Sequence, residues 1–236
     1  RYVILFSSFF VLAVGFLVFL LLKADSKNEG KLINEENSLK NIKLVLKHRS
    51  IWLMMTIIIS AYAGYKFTDI YSLYAFEVMQ YSQLEAAQIG SLQLYLRPVV
   101  CITIGFLADR STCIKYIIKG FIIMLIGSIV FSSGIINNNL NLIFLLSLVV
   151  TAVGTYSVRA LYFSVFNEAK IPIKITGTAV GIISIIGYTP DIFATPIMGY
   201  ILDTYPGALG HQYVFMMLVI FSLIGLLSSI NFLYKI

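Results

Sequence analysis

The stretch GFLADRSTCIKYIIK, residues 105–119, decides how the chain folds. An apolar run ends at Leu107. Asp109 and Arg110 follow at once, then Lys115 and Lys119, and a second apolar run begins. Each flanking run is long enough to cross a bilayer as a helix, which takes roughly 20 apolar residues. Any short polar turn would join two such runs, so the acidic–basic make-up of this one asks for a further reason.

Composition agrees with a lipid solvent. The chain is 59% hydrophobic and 12% charged, against about 25% charged residues in soluble domains. Too few polar groups are present to cover a surface in water. The formal charge of +6 would suggest nucleic acid only if the basic residues shared a polar face. They sit in loops between apolar runs instead, so no nucleic-acid partner is expected. Cys101 and Cys113 show neither disulfide nor metal spacing, and His48 and His211 lack the partners of a zinc motif. No cofactor is implied. The chain opens with Arg1 and enters an apolar run too long for a signal peptide. This reads as the cut edge of a longer protein.

Seven spans are expected, near 2–22, 51–75, 86–107, 115–136, 140–162, 175–201 and 213–234. The runs do not alternate in and out as barrel strands do, so the fold class is all-α, a polytopic membrane helix bundle. Loop charge gives the orientation. Residues 23–50 carry Lys23, Lys27, Lys31, Lys40, Lys43, Lys47 and Arg49. The 105–119 turn carries Arg110, Lys115 and Lys119, the 163–174 loop carries Lys170 and Lys174, and Lys235 ends the last run. The intervening loops near 77–85, 137–141 and 203–212 hold no Lys or Arg. The positive-inside rule places the basic loops and the C-terminus in the cytoplasm. SKNEGKLINEENS, from Ser26, reads as a flexible linker. LKNIKLVLKHRS, from Leu39, reads either as an interfacial helix or as the frayed start of the second span.

Gly105, Asp109 and Arg110 match the G-x-x-x-D-R-x-x-x-[KR] pattern of short cytoplasmic loops in the Major Facilitator Superfamily of secondary transporters. Lys115 falls one place late, and Ser111 or Thr112 stands where Gly is usual. One helix, a long basic loop and six helices with short loops resemble the middle and second half of that superfamily. The resemblance implies that 1–22 holds the last helix of an N-terminal half and 23–50 the central loop. Residues 51–236 would be a complete C-terminal half, with five helices missing upstream. It also implies a latch: Asp109 and Arg110 of the turn, with Arg159 and Glu168 nearby, would lock the cytoplasmic side in the outward-open state. The alternatives are solvated turn charges, or Asp109 at the positive end of the following helix.

Charges inside a bilayer are costly and face cavities or partners. Counting 1.5 Å per residue puts Arg97 roughly 16 Å into a ~30 Å core, followed by Pro98, which removes a backbone donor. Arg97 is read either as a substrate or coupling contact or as half of a structural ion pair. Tyr62, Lys66 and Asp69 share one helical face, with Tyr65 alongside, and Lys66 and Asp69 are spaced to pair. That face lines a cavity or anchors the outer end of the helix. Asp191, in GYTPDIFATPIMGY between Pro190 and Pro196, is a carboxylate beside helix breaks. It can bind a proton, a cation, Arg97 or Lys66. Gly177 and Gly181 form G-x-x-x-G, a close-packing or sliding surface.

The expected function is alternating-access transport of a small polar or anionic solute across the cytoplasmic membrane, with a proton or ion as a candidate coupling partner. The alternative is a sensor or assembly subunit on the same fold. An enzyme is disfavoured because HExxH, GxSxG and paired catalytic His motifs are absent. Nothing resembles a channel filter.

Overall fold

A computed structural model describes residues 2–21, 35–169 and 171–235. Most of the expected linker, residues 22–34, and Lys170 lie outside the described residues. All regular structure among the described residues is helical. Seven helical stretches are long and apolar enough to cross a membrane: Tyr2–Leu21, Arg49–Glu77, Gln83–Ala108, Cys113–Ser132, Asn141–Leu161, Ile175–Thr204 and Ala208–Leu233. Each falls on one of the seven runs read from the sequence.

The chain divides into two compact units, Arg1–Lys40 and Asn41–Ile236. The first contains α1 (Tyr2–Leu21), apolar but for Ser7 and Ser8. Helix α2 (Glu35–Lys47) straddles the boundary. It ends at His48, whose backbone is extended, so α2 is a helix in its own right and not the frayed start of the next one. Val45 is fully buried, and Trp52 Nε1 donates to the Leu46 carbonyl at 2.9 Å, fixing the corner.

The larger unit is a bundle of six spans. The first is α3 (Arg49–Phe67), a tight 3-10 turn (Thr68–Ile70) and α4 (Tyr71–Glu77) in one rod. A 3-10 turn within a helix marks strain or a hinge, and this one presents Asp69. The second is α5 (Gln83–Ala108). Its start is fixed by a capping box: Ser82 Oγ accepts from Glu85 N–H at 3.3 Å, and Glu85 accepts from Ser82 N–H at 2.9 Å. These bonds satisfy orphan helix-end donors. Pro98 stands inside α5. Next come α6 (Cys113–Ser132), α7 (Asn141–Leu161), the short α8 (Val165–Glu168), α9 (Ile173–Gly187), α10 (Pro190–Thr204) and α11 (Ala208–Leu233).

Helix α6 packs against α7 and α11, and α11 against α3, while α5 leans on α7 and α9 on α3. At one end of the core Tyr71, Tyr74, Phe131, Phe144 and Phe215 interlock, with Phe131 and Phe215 stacked 4.4 Å apart. The α9–α10 break falls at Tyr188–Thr189, with Pro190 at the first position of α10, where a missing N–H costs nothing. Pro196 is absorbed inside α10 and is not a second break. The small-residue expectation is also displaced. A Cβ at Gly177 or Gly181 would meet nothing within 4 Å. The close approach lies between α6 and α7, where a Cβ on Gly154 would sit 2.4 Å from Met124 N and 2.8 Å from Gly120 O.

Candidate functional site

Tyr62, Tyr65 and Lys66 leave α3 on one face because their spacing follows the helical repeat, and the 3-10 turn adds Asp69 to it. Lys66 Nζ lies 3.1 Å from Asp69 Oδ2 and 3.5 Å from Asp191 Oδ1. The pair spaced three apart forms as its spacing predicts. Of the two partners open to Asp191 in the sequence, the structure selects Lys66 over Arg97. Tyr62 donates its hydroxyl proton to Asp191 Oδ2 at 2.7 Å. Asp191 sits in the first turn of α10, where the helix dipole favours negative charge. Lys66 is only 19% exposed, against 59% for Asp69 and 50% for Asp191. One partly buried ammonium therefore bridges two open carboxylates.

Beside this bridge lies a cavity of about 270 Å³. Its wall includes Tyr65 and Asp69, Ser72 of α4, Gln93 and Arg97 of α5, and Tyr156 of α7. An adjoining hollow of about 530 Å³ shares Asp69 and Ser72. The two helices approach closely here because Gly90 leaves room: a Cβ there would lie 2.5 Å from Ser72 Oγ. Arg97 is half-buried, and its guanidinium carbon stands 5.4 Å from the Tyr65 ring centre. Gln93 is buried, and its Nε2 has no hydrogen-bond partner among the described residues.

Arg159 departs from the expected latch. The family resemblance implies a place for it with Asp109, Arg110 and Glu168 at the cytoplasmic turn. Its guanidinium carbon instead stacks 3.5 Å from the Tyr65 ring centre and 5.1 Å from that of Tyr62. The physical reason is reach: Arg159 lies in the last turn of α7, and α7 packs on α3 and α5, so its long side chain extends along the bundle onto the aromatic face. The remaining turn charges behave differently. Asp109 ends α5, its N–H donating to the Gly105 carbonyl at 3.0 Å, and both Asp109 and Arg110 are exposed. Glu168 accepts from the N–H groups of Cys113 and, at 3.3 Å, Ile114. It thus takes the position at the start of α6 that was open to Asp109.

Gln93, Ser72, Tyr156 and Tyr188 complete the surroundings and were not singled out from sequence. Tyr188 meets Tyr62 edge-on at 4.7 Å. Gly90, Gln93 and Arg97 follow i, i+3, i+7 spacing, a polar stripe in an apolar run that helical periodicity could have revealed. Among the described residues no three His, Cys, Asp or Glu side chains gather to hold a metal ion.

Comparison with known proteins supplies the remaining evidence. The chain is 27% identical over 235 residues to "Inner membrane protein YihN" of Escherichia coli K12, covering 95% of this chain and 55% of that protein. It is 26% identical over 206 residues to "Inner membrane protein YqcE" of the same organism, covering 82% of this chain and 47% of that protein. The chain thus spans about half the length of the curated relatives it matches. The family model described as Major Facilitator Superfamily matches residues 1–190. With that match over most of seven membrane-length helices, the chain belongs to the Major Facilitator Superfamily.

Proposed function

We propose that this chain is the last helix of the N-terminal half, the central loop and the C-terminal half of a secondary active transporter. It works in the inner membrane, where its relatives' names place them. It moves a small polar or anionic solute by alternating access, with its basic loops and C-terminus in the cytoplasm. The carrying observation is the gathering of Lys66, Asp69, Arg97, Arg159 and Asp191 around two tyrosines beside a cavity in a mainly apolar bundle. Such charges are retained in a bilayer where they contact a solute or carry a coupling ion. Asp191, half-exposed and held by a phenol and an ammonium, is the site for a coupling proton. The turn at Gly105, Asp109 and Arg110, tied through α6 to Glu168, acts as the cytoplasmic latch.

The test is uptake by the full-length protein in proteoliposomes, screened with labelled polar metabolites. Arg97→Ala is expected to abolish accumulation of whichever solute the wild-type protein accumulates, with membrane insertion unchanged. Wild-type uptake by that variant would remove Arg97 from the site. Binding without flux for every solute would identify a non-transporting sensor on the same fold.

A further inference from the structure

Two carboxylates at this site converge on one ammonium, and the guanidinium groups receive neither. Among the described residues, Arg97 and Arg159 lie within 4 Å of no carboxylate oxygen. Both are held by the same phenol ring, Arg159 at 3.5 Å and Arg97 at 5.4 Å from the centre of Tyr65. A guanidinium stacked on an aromatic face uses its flat surface there, and its N–H donors point outward in the plane of the fork. At 3.5 Å the Arg159 guanidinium is in contact with the ring face, a cation–π contact that satisfies none of its N–H donors. Among the described residues, Nη1 of Arg159 is buried without a hydrogen-bond partner, and so is Nε2 of Gln93, one turn before Arg97 on the cavity wall. Buried donors left unpaired are costly and rare. Arg97 and Gln93 line the cavity, and Arg159 lies behind its Tyr65 wall; with Asp69, the one carboxylate of that wall, bound to Lys66, these donors call for an acceptor with several oxygen atoms.

We propose that Arg97 and Arg159, gathered at Tyr65 with Gln93 between α5 and α7, bind an oxyanion: the carboxylate, phosphate or sulfonate group of the solute. The inference rests on the transporter reading and names the substrate class for its site. Arg pairs suit this chemistry because the fork meets two oxygens of one anion at once. The Lys66–Asp69–Asp191 bridge, one ammonium against two carboxylates, carries one surplus negative charge; it adjoins the anion site and is left to the solute's remaining groups or to the coupling proton.

The experiment uses the purified full-length protein in detergent. Its thermal midpoint is titrated with sodium phosphate, sodium methanesulfonate and sodium acetate, each against sodium chloride at the same ionic strength. At least one oxyanion is expected to raise the midpoint saturably, and the one that does so identifies the headgroup. Arg159→Gln and Arg97→Gln are each expected to weaken that binding at least tenfold. Arg159→Lys keeps the charge but loses the fork, is the gentler variant for folding, and is expected to weaken binding as well. No saturable shift with any oxyanion, or wild-type affinity in Arg159→Lys and Arg97→Gln, would overturn the proposal. Oxyanion binding without flux would sink the transporter reading and leave this inference standing. Flux of a neutral or cationic solute with no oxyanion shift would do the reverse.

Discussion

His211 is wholly enclosed, yet its Nε2 lies 2.9 Å from Glu77 Oε2, and its ring meets the edge of Tyr74 at 5.1 Å. The sequence invites only a metal question of this histidine, which it answers negatively. Its real partner stands 134 residues away, and no spacing rule reaches that far. The same limit applies to Asp191, whose phenol partner is 129 residues distant, and to Arg159, whose place depends on which helix α7 meets. Lys66 and Asp69 were legible because their contact is local. The Glu77–His211 contact ties α4 to α11. Glu77→Ala would leave both ring nitrogens of a buried imidazole unpaired among the described residues, where Nδ1 has no partner already. Losing one partner of a buried hydrogen bond costs about 1–3 kcal/mol, and the partial exposure of Glu77 puts this one near the low end. The thermal midpoint in detergent should fall measurably while solute specificity is retained; an unchanged midpoint would show that the pair contributes nothing net.

Helix ends moved where side-chain chemistry, not hydropathy, set them. The second of the bundle spans begins at Gln83, ahead of the apolar run at Ala86, because Ser82 and Glu85 cap it. The next stops at Ser132, short of the apolar Ile135 and Ile136, because Gly134 takes positive φ. Helix contacts were less legible than helix ends, since a G-x-x-x-G pattern names small residues without naming what they face. Two substitutions separate the cases. Gly154 lies against the backbone of α6, which cannot move aside as a flexible side chain would. Gly154→Val should therefore force α6 and α7 apart and cost about 1–3 kcal/mol or more, the range for overpacked interiors. At Gly181, with nothing within 4 Å, alanine should be neutral or gain up to ~1 kcal/mol through helix propensity. Thermal midpoints of the two variants check this ordering, and a Gly181→Ala variant as damaged as Gly154→Val would mean that Gly181 faces a close neighbour.

Across the whole molecule, charge asymmetry carries information that folding contacts do not. Basic residues alternate strictly between successive connections: Arg110, Lys115 and Lys119 lie on one side, and the Lys- and Arg-free 137–141 connection on the other. The six spans of the larger unit follow one another through short connections and alternate in direction, so one connection placed on each side fixes the orientation of the rest. Arg110 and Asn138 are both exposed and lie at opposite ends of α6. Cys101 and Cys113 are free and half-buried, so both are replaced by Ser, together with any cysteine in the remainder of the full-length protein, to give a silent background. In that background, Asn138→Cys should react with a membrane-impermeant maleimide in intact cells. Arg110→Cys should react only after the inner membrane is permeabilised. The reverse pattern would invert all the connections together and carry Asp109 and Glu168 to the outside, where a cytoplasmic latch has no meaning. The oxyanion site would survive that inversion, because Arg97 and Arg159 meet at Tyr65 whichever way the bundle points.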